Sequence, residues 1–171
     1  MESEQELRDL IAELSSRVDA IEGRAAQAPA DPAADPQDPL WILNGLKQRI
    51  DDPGAVVFAG AVRVAAGPIE WQVGFPVDTI LASDWSSLSA NLASLGNPVR
   101  LALLQAVING ATSVAELSAG EGMGTTGQLY HHLNLLVAQN WLHQAGRGHY
   151  SIPPERVVPL LVILSAARRT M

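Results

Sequence analysis

The fold of this 171-residue chain is decided by residues 95–152, which read LGNPVRLALLQAVINGATSVAELSAGEGMGTTGQLYHHLNLLVAQNWLHQAGRGHYSI. The stretch opens with Asn97 and Pro98, the combination of a helix N-cap and a first-turn proline. Apolar side chains then recur at helical spacing until Gly110, a residue type that commonly ends a helix. The sequence therefore predicts an amphipathic helix with an apolar stripe formed by Leu101, Leu104, Val107 and Ile108.

Two more helices are predicted downstream, because the spacing of a capping box occurs twice. In a capping box a Ser or Thr and a Glu or Gln three residues later satisfy each other's backbone N–H groups. Ser113 and Glu116 have this spacing before a short helix, which a Gly-rich turn ends. Thr125 and Gln128 repeat it before a longer helix. The buried face of that longer helix is predicted to consist of Leu129, Leu133, Leu136 and Val137.

The opposite face of the longer helix is polar and has no acidic group, which suits contact with DNA bases and phosphates. Residues 141–144 and 149–152 then flank the Gly-rich segment 145–148, in the pattern of a small β-hairpin with Arg147 at its tip. The predicted DNA contacts are Thr125, Thr126, Gln128, Tyr130, His131 and Asn134 on the helix and Arg147 on the hairpin, with Arg100 as an additional phosphate contact.

The order of helix, short helix, turn, longer helix and hairpin is that of a winged helix-turn-helix, and it resembles the ArsR-like winged-helix repressors. Residues 95–101 (LGNPVRL) look like the start of the family's first helix, and residues 126–133 (TGQLYHHL) look like its recognition helix. The resemblance covers the C-terminal half of the chain and implies a homodimeric, sequence-specific regulator that binds double-stranded DNA. The resemblance implies a repressor, although these residues leave activation open as the alternative. The chain has no Cys, so the thiolate sites of the family's metal sensors cannot be built.

Composition indicates one or two small domains with an uneven charge. The formal net charge is −7 and 47% of the residues are hydrophobic. Residues 1–95 contain six Lys or Arg against fifteen Asp or Glu, whereas residues 96–171 contain five Arg against three Glu, a net charge of +2. Because most non-specific DNA affinity comes from cations that neutralise phosphates, one copy is expected to bind weakly and two copies to act together.

Residues 1–24 are predicted to form a coiled-coil helix. Their apolar residues alternate spacings of four and three, with β-branched residues at a positions, which favours a parallel dimer. A single amphipathic helix packed on its own domain is the alternative, since three heptads are few. Residues 25–39 are rich in Ala, Pro and Asp and are predicted to be a flexible linker. The apolar stripe consists of Leu7, Ile11, Leu14, Val18 and Ile21.

Residues 40–83 are predicted to form a helix plus a β-hairpin. Asp38 and Pro39 cap a helix over residues 40–50, and period-two alternation then predicts two strands around a turn at 65–68. A two-stranded hairpin is barely stable alone. Its apolar face is therefore expected to rest on helix 40–50 and on a further helix over residues 85–95. Asp84 is predicted to cap this further helix, and its apolar stripe is predicted to consist of Trp85, Leu88, Leu92 and Leu95.

The aromatic residues of this region have two interpretations. They are the kind of side chain that lines a pocket for an apolar small-molecule effector. They are also the kind that fills ordinary cores, which is the favoured interpretation. The residues concerned are Trp41, Phe58, Trp71, Phe75 and Trp85.

Residues 84–171 are predicted to be the winged-helix domain, which ends in a C-terminal dimerisation helix. Residues 157–164 read VVPLLVIL, a run without a polar face. A helix that is apolar on all sides must be buried on all sides. A terminal helix in a small domain can hide only one side against its own core, so a second subunit is expected to cover the other.

The predicted fold class is mainly α with a small β content: an N-terminal coiled-coil helix, a small α+β hairpin unit and a C-terminal winged helix-turn-helix. No catalytic motif, cofactor motif or metal-ligand set is recognised, so an enzyme is not expected. The N-terminus lacks signal-peptide features and no apolar run is long enough to span a bilayer, so a cytoplasmic protein is expected. The alternative function is a winged-helix protein-interaction or scaffolding module, which the Lys-free recognition helix and the acidic total would suit.

Overall fold

The computed structural model describes residues 10–18, 38–120 and 124–168. The chain divides into two compact units, residues 1–52 and residues 53–171. Within the described ranges the fold is a mixture of helices and two antiparallel β-hairpins. The coiled-coil positions Leu7 and Ile21 and the linker residues 25–37 lie outside these ranges. The predicted parallel coiled coil therefore stays a prediction.

Among its described residues, 10–18 and 38–52, the first unit contains two short helical segments. Residues 10–18 are helical (α1), and the apolar side chains Ile11, Leu14 and Val18 are about half exposed. The second helix, α2 (Trp41–Lys47), is shorter than the predicted range. Asp38 helps to start it, because its carboxylate accepts the backbone N–H of Leu40 at 2.8 Å and the side-chain amide of Asn44 at 2.7 Å.

The second unit opens with the predicted β-hairpin, which is confirmed. Strand β1 (Ala55–Val64) pairs with strand β2 (Gly67–Pro76) across a two-residue turn. Gly67 has a φ of +122°, a conformation that side chains disfavour. The register places the predicted face in cross-strand pairs, with Phe58 opposite Val73 and Val62 opposite Ile69.

The hairpin packs on the C-terminal helix, which was not one of the two segments expected to cover it. Strands β1 and β2 both contact the helix over Pro154–Ala166. At Gly60 the strand comes so near that an added Cβ would lie 2.9 Å from a methyl of Val158. The hairpin of the same chain thus covers much of the side of the C-terminal helix that faces away from the core. Burial of this helix therefore does not by itself require a second subunit.

The part of the chain that follows the hairpin and precedes the core helices is a helical segment with an exposed apolar side. It comprises α3 (Val77–Ala82), a 3₁₀ helix (Trp85–Leu88) and α4 (Ser89–Leu95). Asp84 caps the 3₁₀ helix as predicted, accepting the N–H of Ser86 at 3.0 Å. Leu95 is buried, but the rest of the predicted apolar stripe is exposed, namely Trp85, Leu88 and Leu92. Helix α3 was not predicted.

The core is formed by three further helices and the second hairpin. Helices α5 (Pro98–Ile108), α6 (Val114–Ser118) and α7 (Thr126–Ala138) all have their predicted N-caps. Strands β3 (His143–Gly146) and β4 (His149–Ser151) form the predicted hairpin, and the helix over Pro154–Ala166, α8, closes the chain. The fully buried side chains are Leu103, Leu104, Leu117, Leu129, Leu133, Leu136, Trp141, Leu142 and Leu160.

Helices α5 and α7 end in the same way. After α5, Gly110 has a φ of +108°, and its N–H and that of Ala111 bond to carbonyls in the last turn. After α7, Asn140 has a φ of +60° and does the same together with Trp141, whose N–H lies 2.9 Å from the Leu136 carbonyl oxygen. These are Schellman caps, with Asn in the second one at the position where Gly is usual. The second cap turns Trp141 into the core.

Candidate nucleic-acid interface

The start of α7 is a capping box that uses two of the predicted DNA contacts. Gln128 Oε1 accepts the backbone N–H of Thr125 at 2.8 Å, and the Thr125 hydroxyl accepts the N–H of Gln128 at 3.4 Å. Gly124 precedes the box with a φ of +73°, and a Cβ there would collide with Gln128 Oε1. The side-chain oxygen Oε1 of Gln128 and the Thr125 hydroxyl are therefore engaged in starting the helix.

The outer face of α7 presents the other four predicted helix contacts to solvent. Leu129, Leu133 and Leu136 are fully buried on the inner face. The outward-facing residues are Thr126, Tyr130, His131 and Asn134, each exposed. No acidic or basic side chain other than histidine lies within α7. The structure thus places these four residues together on a polar face that has no Asp, Glu, Lys or Arg.

Two adjacent histidines on α7 have different environments. His131 is exposed, whereas His132 is partly buried and its Nδ1 has no hydrogen-bond partner among the described residues. Burial lowers the pKa of His132, and the positive charges of Arg100 and His131 lower it further. These effects favour the neutral form of the His132 imidazole.

Arg100, predicted as a phosphate contact, is occupied within the chain. Its Nη2 donates to the Ala93 carbonyl oxygen at 2.8 Å, and its Nε donates to the carbonyl oxygen of Ser94. These carbonyls belong to the last turn of α4, where a cation is favoured by the helix dipole. Arg100 thus ties α5 to the end of α4, and two of its three guanidinium nitrogens are used in this contact.

The second hairpin holds Arg147 in an exposed turn next to the start of α6. Two backbone bonds anchor the hairpin. The N–H of Val114, the first residue of α6, donates to the Gly148 carbonyl oxygen at 3.0 Å, and the N–H of Tyr150 donates to the carbonyl oxygen of Thr112, which precedes α6, at 2.8 Å. Arg147 is exposed, as predicted for the tip of a wing. These bonds fix the hairpin relative to α6, so Arg147 projects from an anchored hairpin and not from a free loop.

Trp141 has a structural role that was not predicted from the sequence. Its indole N–H lies 3.4 Å from the Asn91 carbonyl oxygen, and the guanidinium of Arg156 lies 5.0 Å from the centre of the ring. The Asn91 side-chain amide in turn donates to the Gln139 carbonyl oxygen at 2.9 Å. Trp141 therefore joins the end of α7 to α4 and α8. The signal available in the sequence was an Asn followed by an aromatic residue after an amphipathic helix, the pattern of a Schellman cap.

The five aromatic residues proposed as an effector pocket do not line the groove that the structure describes. Trp41 belongs to the first unit and the other four to the second. The indole N–H of Trp85 bonds to the Ile80 carbonyl oxygen at 2.7 Å, and the rings of Phe58 and Phe75 lie 6.5 Å apart. Trp71 and Phe75 are partly exposed on their strand.

An apolar groove of about 390 Å³ lies instead between β1 and α8. It is open to solvent, and its walls are formed almost entirely by small and branched aliphatic side chains. The lining residues are Ala59, Gly60, Val62, Val158, Leu161, Val162, Ser165 and Ala166. This groove is the part of the α8 surface that the hairpin leaves uncovered.

Among residues 10–18, 38–120 and 124–168, no group of three or more His, Asp or Glu side chains could hold a metal ion. His143 pairs with Ser151 in the second hairpin and not with His149, which lies opposite Gly146. Within the same ranges no helix is both long enough and apolar enough to cross a membrane.

The chain was compared with profiles of known protein families, with curated proteins and with solved structures, and none of these comparisons found a match.

Proposed function

We propose that this chain is a DNA-binding transcriptional regulator of the winged helix-turn-helix type, similar to the ArsR-like repressors. One observation carries the proposal: α7 exposes a row of hydrogen-bonding side chains without Asp, Glu, Lys or Arg, and the hairpin with Arg147 is anchored beside the helix that precedes α7. In a winged helix, the recognition helix enters the major groove and the wing contacts the adjacent backbone or minor groove. Helix α7 and the β3–β4 hairpin would take these two roles.

Charge is consistent with weak binding by a single copy. Residues 96–171 have a net charge of +2, and two of their arginines, Arg100 and Arg156, already contact the chain's own carbonyls and indole ring. Each phosphate contact contributes to affinity through counterion release, so few contacts give low affinity and a shallow dependence on salt. Two copies on one operator would double the contacts.

A homodimer would use the groove between β1 and α8. The groove is apolar and uncharged, and Leu161 and Val162 at its wall are only partly buried. Exposed apolar surface of this kind is typical of subunit interfaces. Light scattering after size exclusion tests this: we expect a dimer for the wild type and a monomer for Leu161→Glu. Ala167→Glu, on the exposed end of the same helix, is the matched control and should remain a dimer.

Binding to duplex DNA at two salt concentrations tests the main proposal. We expect Tyr130→Ala and His131→Ala to weaken binding to a selected site by roughly 5- to 150-fold while leaving non-specific binding nearly unchanged. Arg147→Ala should weaken binding to all sequences and reduce the salt slope by about one unit. Gln105→Ala, an exposed polar residue on α5, is the control and should have no effect. Absence of binding by the full-length chain at low salt would refute the proposal.

A second candidate function is supported by a different surface. Leu81, Trp85, Leu88 and Leu92 repeat with spacings of four, three and four, and each is more than half exposed. The segment 79–95 that carries them has one charged residue, Asp84. Depletion of charge around exposed aliphatic and aromatic side chains is typical of protein–protein interfaces. A protein-interaction module would use this stripe, and charge-reversing Leu88→Lys would abolish partner binding without affecting DNA.

A further inference from the structure

The capping interactions in the structure determine which side chains remain able to contact one base through two hydrogen bonds. A bidentate contact needs both polar atoms of the side chain to be available: an amide oxygen and nitrogen for adenine, or two guanidinium nitrogens for guanine. Among the predicted DNA contacts on the helices, the residues of these types are Arg100, Gln128 and Asn134.

Two of these three are already engaged. Arg100 donates to the carbonyls of Ala93 and Ser94, and Gln128 Oε1 accepts the Thr125 N–H. Asn134 is exposed, and its amide makes no hydrogen bond to any described part of the chain. It therefore keeps both its oxygen and its nitrogen available for adenine.

Gly127 determines how closely a second molecule can approach this face of α7. It lies in the first turn of α7, and an added Cβ would meet no atom within 4 Å. The packing of the chain therefore does not require a glycine there, although glycine in a helix is less stable than alanine. Gly127 shares its face with Tyr130, His131 and Asn134, at spacings of three, four and seven residues. The missing side chain leaves a flat surface that a second molecule can approach closely.

The length of the face matches a short run of base pairs. From Thr126 to Asn134 the helix rises by about 12 Å, which is the rise of three to four base pairs at about 3.4 Å each. No Lys or Arg lies within α7, so guanine lacks its commonest partner there. His131 can offer guanine or adenine N7 a single contact only.

We propose that α7 lies with the Gly127 face against the major groove and that Asn134 selects adenine by a bidentate contact to N6 and N7. This rests on the DNA-binding function proposed above. The operator is accordingly expected to be rich in A·T pairs at the positions that α7 covers.

The test begins with selection of bound sites from randomised duplexes by the full-length protein. Each adenine that the selection enriches is then replaced by 7-deazaadenine, which pairs normally but lacks the N7 acceptor. We expect one such replacement to weaken wild-type binding by roughly 5- to 150-fold. Asn134→Ala, which loses the contacts to both N6 and N7, should bind the unmodified site at least as weakly as the wild type binds the modified one, and should show no further loss on the modified one.

Two variants separate base reading from folding. Gly127→Ala should raise the melting temperature by a few degrees and yet weaken DNA binding, a combination that a purely structural role would not give. Gln128→Ala should lower the melting temperature but leave the discrimination between adenine and 7-deazaadenine unchanged. Binding that is tight but independent of adenine, or discrimination that persists in Asn134→Ala, would overturn the inference while leaving DNA binding intact. Absence of any duplex binding would overturn both.

Discussion

Residues 98–152 bury their apolar side chains against one another, whereas residues 77–92 leave theirs in solvent. In the first region Leu103, Leu129 and Leu133 are completely buried. In the second, Leu81 is 65% exposed and Trp85 is 59% exposed. Both regions have apolar residues at helical spacing, and both have a polar N-cap with its hydrogen bonds in place. Local signals thus specify where a helix starts, but they do not say whether its apolar side has a partner.

The largest expected difference between the regions is seen by removing one tryptophan from each. Trp141→Ala deletes a fully buried side chain between α4, α7 and α8, and we expect a loss of about 3–5 kcal/mol in unfolding free energy. Trp85→Ala removes a mostly exposed ring and should cost less than about 1 kcal/mol. Urea denaturation measures both. If Trp141→Ala fails to fold, Trp141→Phe should still fold with an intermediate loss, and equal losses for the two alanine variants would contradict the comparison.

The second comparison concerns the hairpin, whose packing partner α8 was not predicted. Its strands and even its cross-strand faces follow from the alternation of residues 56–75, because side chains alternate between faces in a strand. Its partner does not follow, because several apolar segments compete for one apolar face. Gly60 is the residue at the closest contact. Because it has no side chain, β1 approaches Val158 of α8 more closely than a residue with a Cβ at this position would allow.

Gly60→Ala is therefore expected to destabilise the second unit by about 1–3 kcal/mol, since the new methyl group would overlap the Val158 side chain. In a Val158→Ala background the same substitution should cost much less, because the overlap is gone. Ala61→Val, on the opposite, exposed face of β1, is the control and should change stability by less than about 0.5 kcal/mol. Additive effects of Gly60→Ala and Val158→Ala in thermal or urea unfolding would show that the hairpin does not rest on α8.

The candidate interface was predictable in part, for the same reason. Sequence periodicity placed Thr126, Tyr130, His131 and Asn134 on the outer face of α7, and the structure has them there. Periodicity did not reveal that Arg100 and Gln128 are used by helix ends, because a polar side chain that caps a helix and one that contacts DNA belong to the same residue types. The Gln128 contribution to a capping box was itself predicted, and the conflict between its two roles is resolved only by the hydrogen bond to Thr125.

A third comparison sets two N-caps against each other. Thr125→Ala removes the cap of α7, whose inner face is buried, and we expect a loss of about 1 kcal/mol. Asp84→Ala removes the cap of the exposed 3₁₀ helix, which can fray without disturbing the core, so the loss should be less than about 0.5 kcal/mol. Hydrogen exchange separates the cases further: protection of α7 amides should fall with Thr125→Ala, and protection of α5 amides should be unaffected by Asp84→Ala. A larger loss for Asp84→Ala would mean that residues 77–92 are coupled to the core despite their exposure.

The smallest expected effect is a pH dependence that arises from the capping box of α6. The backbone N–H groups of Ser113 and Thr112 donate to the Glu116 carboxylate at 2.8 and 2.9 Å and lower its pKa, with smaller contributions from the Ser113 hydroxyl and from His149. Because the folded-state pKa lies below the unfolded-state value of about 4.3, the ionised carboxylate stabilises the fold above that value. The stabilisation is lost as the pH falls through the folded-state pKa.

Glu116→Gln tests this, because the amide can still accept one backbone bond but cannot titrate. We expect the melting temperature of the wild type to fall more than that of the variant between about pH 6 and pH 3. The difference between the two should be largest at pH 6, where the wild type is the more stable, and should shrink on acidification. The exposed Glu155 in the first turn of α8 makes no hydrogen bond within the described ranges, and Glu155→Gln is the matched control. Parallel acid curves for wild type and Glu116→Gln would show that the α6 cap contributes no pH-dependent stability.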